Sequence, residues 1–136
     1  MISSRARRSL SVWVLVLGTA CADSIVRILA PDNDPQVVDT PEKFQFTATD
    51  LRNVNDRVTA VWPNPAAKAK LTHDSFIHHG YGVLIVKDAA GVTVDSTLLE
   101  LNLEAETQSG VPGNWSLTLI LAGARGRVNF TLTPEP

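Results

Sequence analysis

Apolar residues recur at every second position from Trp115 to Leu132, and this constrains the fold more than any other feature of the chain. Trp115, Leu117, Leu119 and Leu121 occupy alternate places, and Val128, Phe130 and Leu132 do so again. A period of two puts each set on one face of a strand, whereas a helix would need apolar residues three and four apart. Gly123 and Gly126 stand between the two runs and predict a tight turn. The segment therefore reads as an antiparallel hairpin whose two apolar faces enter one core.

The same period recurs upstream. Phe44 and Phe46 share a face of a strand over 43–49, and Val58, Ala60 and Trp62 share a face of another over 57–62. Pro63 closes that strand, because proline cannot donate to a ladder. The run Val83, Leu84, Ile85, Val86 suits a strand buried on both sides or a central one. Asp88 to Gly91 form a turn, and Val92 to Val94 return. Leu99, Leu101 and Leu103 alternate with Glu100, Asn102 and Glu104, which favours a strand although leucine and glutamate also suit helices. A short apolar strand, Ser24 to Leu29, precedes an acidic, turn-rich stretch from Pro31 to Pro35.

Seven to eight short strands with frequent turns imply an all-β fold, an antiparallel β-sandwich. Immunoglobulin-like and jelly-roll strand orders both remain open. The expected core is Phe44, Phe46, Trp62, Leu84, Val86, Trp115, Leu117, Leu119, Val128 and Phe130. With 136 residues the chain holds one domain, large enough for a core without disulfides.

The N-terminus has a different grammar. Arg5, Arg7 and Arg8 precede the apolar stretch Ser9 to Gly18, and the small residues Thr19 and Ala20 lead to Cys21 and Ala22. A basic end, a short apolar run and small residues make the pattern of a secretory signal, expected over residues 1–20 as a helix. The run is shorter than the roughly 20 residues a membrane span needs. Residues 21–40 then form a tether and first strand, and 41–133 the sandwich domain. All 14 acidic residues follow residue 22, while three of the 12 basic residues lie in the leader. The chain after the leader carries nine basic and 14 acidic residues, a net charge of −5. That balance argues against nucleic acid as a partner, since phosphate binding needs a basic face.

Cys21 is the only cysteine, so it makes no internal disulfide. Leu17-Gly18-Thr19-Ala20-Cys21 resembles the lipobox of bacterial lipoproteins, with the leucine one place further upstream than the commonest form. The resemblance implies acylation of Cys21, for instance by palmitate, and a membrane anchor of several chains, each buried methylene contributing about 0.8 kcal/mol. Ala22 resembles the outer-membrane class, although Asp23 follows it. A second reading uses the same letters: Ala20-Cys21-Ala22 is an A-x-A cleavage site, which would release a secreted domain starting at Asp23.

Asp88-Ala-Ala-Gly91, Pro112-Gly-Asn-Trp115-Ser-Leu-Thr-Leu and Gly126-Arg-Val-Asn-Phe130-Thr-Leu resemble small bacterial envelope lipoproteins with one immunoglobulin-like or pre-peptidase C-terminal-type β-sandwich. The Trp62 strand is similar to the tryptophan-bearing strand of immunoglobulin-like sandwiches. The likeness spans most of residues 40–133, lacks the cysteine pair of antibody domains, and specifies a fold more than a function. It implies an adhesion, carbohydrate-contact or accessory role.

All three histidines lie in Thr72-His73-Asp74-Ser75-Phe76-Ile77-His78-His79. Histidine and carboxylate ligate zinc or copper, which makes His73, Asp74, His78 and His79 a candidate metal set. On a strand, His73 and His79 would share a face and Asp74 and His78 the other, so only a bent loop would gather them. The plain alternative is a polar connecting loop. Beside it, Phe76 and Tyr81 are candidates for exposed ligand contact. Asp32, Asn33 and Asp34 offer hard oxygens without the spacing of a calcium loop. Ser75 lies beside Asp74 and near His73, but adjacency is not triad geometry. No nucleophile elbow, phosphate loop or H-E-x-x-H motif is present, so neither an enzyme nor a cofactor is expected.

The expectation is a membrane-tethered, non-catalytic interaction or adhesion module of the cell envelope, at the outer membrane. Its anchor would be the lipid on Cys21 and its partner an envelope protein or glycan. The alternative is a secreted metal- or carbohydrate-binding module using the 72–81 loop.

Overall fold

The computed structural model describes residues 27–100 and 103–136. The signal segment 1–20, Cys21, the first part of the expected 24–29 strand and Leu101 lie outside the described residues. Among the described residues a 3-10 turn, Pro31–Asn33, precedes seven strands: β1 (Gln36–Thr40), β2 (Lys43–Asn64), β3 (Lys68–His73), β4 (Phe76–Lys87), β5 (Thr93–Leu98), β6 (Leu103–Glu106) and β7 (Gly113–Glu135). All seven pair antiparallel, as the alternation requires.

β2 and β7 organise the sandwich. A straight strand of 23 residues would span about 75 Å, far more than a domain of this size can hold. Both strands therefore bend at mid-length and serve two sheet halves. In the first half, residues 44–48 of β2 pair with 128–132 of β7, and the order is β1-β2-β7-β3-β6. In the second, residues 56–64 of β2 pair with 113–121 of β7, and the order is β2-β7-β4-β5. The halves face each other. Phe44, Phe46 and Phe130 from one meet Val58, Ala60, Leu117 and Leu119 from the other around an apolar void of about 30 Å³. Phe130 stacks on both Phe44 and Phe46, at 6.0 and 5.8 Å. Every residue expected in the core is buried.

The bends are written into backbone conformation. Asp50 and Asn53 of β2 and Gly123 and Gly126 of β7 take positive φ, where glycine is unstrained and Asp or Asn is tolerated. The ladder slips three times between Ala48 and Asp56. A β-carbon on Gly126 would overlap the carbonyl oxygen of Phe76, so this glycine lets β4 cross against β7.

The expected hairpin over 115–132 is thus corrected to one continuous bent strand. Gly123 and Gly126 do not reverse the chain. Ala124 stays opposite Val54 of β2, while Ala122 and Arg125 stay opposite Tyr81 and His79 of β4, so neighbours on both sides hold the strand through its bend. The two strands expected over 43–49 and 57–62 are likewise one strand. Pro63 does not end it, because this half of β2 is a sheet edge and no ladder partner needs its N–H. The strand expected over 99–104 is divided: Leu99 and Glu100 lie in a turn, and β6 starts at Leu103. Of the 24–29 strand, Arg27 makes one parallel bridge to Val54.

Candidate functional site

The 72–81 segment is strand, not loop. It comprises the end of β3, a two-residue connection at Asp74 and Ser75, and the start of β4. Alternation buries Ala69, Leu71, His73, Ser75 and Ile77. His73 is 5% exposed, and neither ring nitrogen has a hydrogen-bond partner. Burial pushes its pKa below the ordinary histidine value, against a weaker upward pull from the Asp74 charge. The Ser75 hydroxyl donates to the Asn129 carbonyl at 3.2 Å and accepts from the Asn129 N–H at 3.0 Å. It is thus engaged with backbone, not with His73.

Past Ile77 the phase breaks. Gly80 takes φ 68°, and the β4–β7 register shifts on both sides of His79. Expected on the face of His73, His79 is therefore turned outward, as are His78 and Tyr81. Asp74 is exposed and pairs with Arg127 at 3.0 Å, and His78 stacks on Phe76 with centroids 5.5 Å apart. His73 thus lies inside the sandwich while Asp74, His78 and His79 lie on its surface. Among the described residues no group of three His, Cys, Asp or Glu stands together to hold a metal ion.

Phe76 and Tyr81 are 55% and 46% exposed. Tyr81 heads a larger feature. Beyond the bulge, Leu84 and Val86 of β4 point into the core, and Val83 and Ile85 emerge on the outer face of the second half. In register, Val83 faces Ile120 of β7 on one side and Leu98 of β5 on the other, and Leu98 is 57% exposed. Tyr81, Val83, Ile85, Ile120 and Leu98 form an apolar strip across three strands. Its signal was the unbroken run Val83–Val86: a strand with core on one side has no need of valine and isoleucine on the other.

The first half has the opposite character. Its outer face carries Gln45, Thr131, Thr72 and Glu104 in one row across β2, β7, β3 and β6. With Asp74 and Asn129 they line an open groove of about 390 Å³. Gln45 Nε2 donates to Asn129 Oδ1 at 3.3 Å, and Glu104 pairs with Lys70. β3 is not anticipated in the sequence, because only Ala69 and Leu71 alternate as apolar residues before the polar His73.

Asp88 is a structural carboxylate. Its Oδ1 accepts from the N–H groups of Ala90 and Val92, and its Oδ2 from Val111. These bonds, Val111's foremost, hold its pKa below the ordinary carboxylate range. They fasten the β4–β5 turn to the segment entering β7.

Neither a protein-family model nor a curated protein sequence matches this chain.

Proposed function

We propose that the chain is a lipid-tethered, non-catalytic module of the bacterial cell envelope that docks a protein partner through the apolar strip of its second half. The strip carries the proposal. An outer sheet face facing water is ordinarily polar, and a contiguous apolar band with exposed Leu98 and Tyr81 is the mark of a contact surface. The tether is supported by the basic leader, its short apolar run and the lone Cys21 in a lipobox-like setting, and the outer-membrane location by the resemblance of Ala22 to that class. Kinship with lipoprotein sandwiches of immunoglobulin-like or pre-peptidase C-terminal type rests on the motifs around Asp88, Trp115 and Phe130, although residues 115–132 form one bent strand where the pre-peptidase likeness implies a closing hairpin.

Two measurements in the native host test the reading. Intact mass should begin at Cys21 with added acyl chains; a chain beginning at Asp23 without lipid refutes the tether. A photo-crosslinking residue at Leu98 should trap one defined envelope protein, and the same residue at Val92, exposed on the β4–β5 turn, should not. Equal labelling from both positions refutes docking through the strip.

A further inference from the structure

The other outer face carries a shallow, open groove lined by hydroxyl, amide and carboxylate side chains. Thr72 and Thr131 lie directly opposite each other on β3 and β7 and form its floor. Gln45 flanks Thr131, and Glu104 flanks Thr72, so four polar side chains stand in line across four strands. At about 4.8 Å per strand the row is about 14 Å long, enough for a short oligosaccharide. The walls already carry contacts of their own. Gln45 is tied to Asn129, Glu104 to Lys70, and Asp74 to Arg127. Each tie leaves further acceptor or donor capacity on the amide or carboxylate. Gln45, Thr72, Asn129 and Thr131 are half-buried, and the groove they line is shallow and open.

We propose that this groove binds a neutral glycan, with Thr72, Thr131, Gln45 and Asn129 as hydroxyl-matching contacts and Glu104 and Asp74 as acceptors for sugar hydroxyl donors. The charge pattern selects the class. Among the described residues the lining holds two carboxylates and no lysine or arginine, so it offers phosphate and other anions no cationic contact. A peptide cannot add as a strand at the floor, because both floor strands are paired on each side; the open edge on the Glu104 side is β6. Threonine supplies a hydroxyl for bonding and a methyl for the C–H face of a pyranose. No aromatic platform lines the groove, so affinity comes from hydrogen bonds over several subsites and rises with chain length.

This inference goes beyond the docking proposal and uses the opposite face, so each can fail alone. The test is amide chemical-shift mapping of the mature protein. The probes are neutral oligosaccharides of gluco, galacto, manno and N-acetylglucosamine configuration, each from two to six units, at up to about 10 mM. At least one series should give saturable shifts centred on Thr72, Glu104, Asn129 and Thr131, tightening with length. Thr131→Val, which keeps the branched shape and removes the hydroxyl, should weaken that binding at least tenfold. It should leave the spectrum of the second half unchanged, which shows that the variant is folded. Gln45→Ala should do the same. No saturable shift with any series, shifts centred elsewhere, or undiminished binding by both folded variants would overturn the proposal.

Discussion

Gly80 and Gly123 meet backbone to backbone where β4 crosses the bend of β7, and a β-carbon on Gly80 would overlap the carbonyl oxygen of Gly123. Both residues take positive φ. The contact lets two long strands fold over without losing their pairing, and it sets the face on which Tyr81 and Val83 emerge.

Gly80→Ala should therefore be among the most damaging single substitutions, costing at least about 3 kcal/mol, because the new methyl meets backbone that cannot move aside. Gly91→Ala is the control. Gly91 also has positive φ, but nothing lies within 4 Å of an added β-carbon, so only the strain of about 1–2 kcal/mol applies. Urea unfolding followed by tryptophan fluorescence measures both. Equal costs would mean that φ strain, not crowding, is what Gly80 relieves.

Trp62 and Trp115 are opposite each other in the β2–β7 register and pack edge to face, with centroids 6.2 Å apart and planes at 84°. Each indole N–H is satisfied by backbone, Trp62 by the Thr40 carbonyl at 2.7 Å and Trp115 by that of Val111 at 2.8 Å. Trp115→Ala should cost about 3–5 kcal/mol through cavity and lost contact. Trp62→Phe should cost less, about 1–3 kcal/mol, because it keeps most of the packing and strands one carbonyl. Calorimetric unfolding of the two variants would show the order, and a cheaper Trp115→Ala would contradict it.

Which parts of this fold could be read in the sequence follows from range. Phe44, Phe46, Trp62, Trp115 and Phe130 were placed in the core because strand alternation is local and repeats. Gly123 and Gly126 were misread as a turn because a glycine's φ is local but its purpose is not. Only the neighbours at Val54 and Tyr81, far away in sequence, make the same conformations a bend. The histidines misled for a related reason. Their crowding along the chain looked like a ligand set, but strand alternation and the slip at Gly80 send His73 inward and His79 outward. The groove row of Gln45, Thr72, Glu104 and Thr131 comes from four separate strands, so no local pattern announces it.

Asp88 should define the acid limb of the stability curve. Its pKa is depressed in the folded protein by the Val111, Val92 and Ala90 N–H groups. Its contribution is therefore complete above the ordinary carboxylate value, about 3.9, and is lost as pH falls through the lower folded value. Asp88→Asn keeps the size but turns an amide N–H toward a backbone donor. The variant should be less stable at pH 7, and its gap to the parent should narrow below about pH 4. Denaturant midpoints between pH 7 and pH 2 test this; a gap constant with pH would remove the charge from the account.

His73 works with the same sense of pH and the opposite balance of benefit. It is a base held neutral inside the sandwich, with both nitrogens unpartnered and Asp74 the nearest charge acting on it. Its folded pKa lies below the unfolded value of about 6.5, so the unfolded chain binds the proton first. Stability is then at its full value above about pH 6.5 and declines as pH falls from there toward the folded pKa. At neutral pH the residue is already costly, since two polar atoms are buried without partners. His73→Leu should therefore be at least as stable as the parent at pH 7, by up to about 1 kcal/mol. Between pH 7 and pH 5 the variant's stability should change less than the parent's, so its advantage grows. Thermal unfolding of both at each pH decides the matter. A variant that is less stable at pH 7 and retains the parent's slope would mean that the imidazole is satisfied in solution and that its burial does not drive the pH dependence.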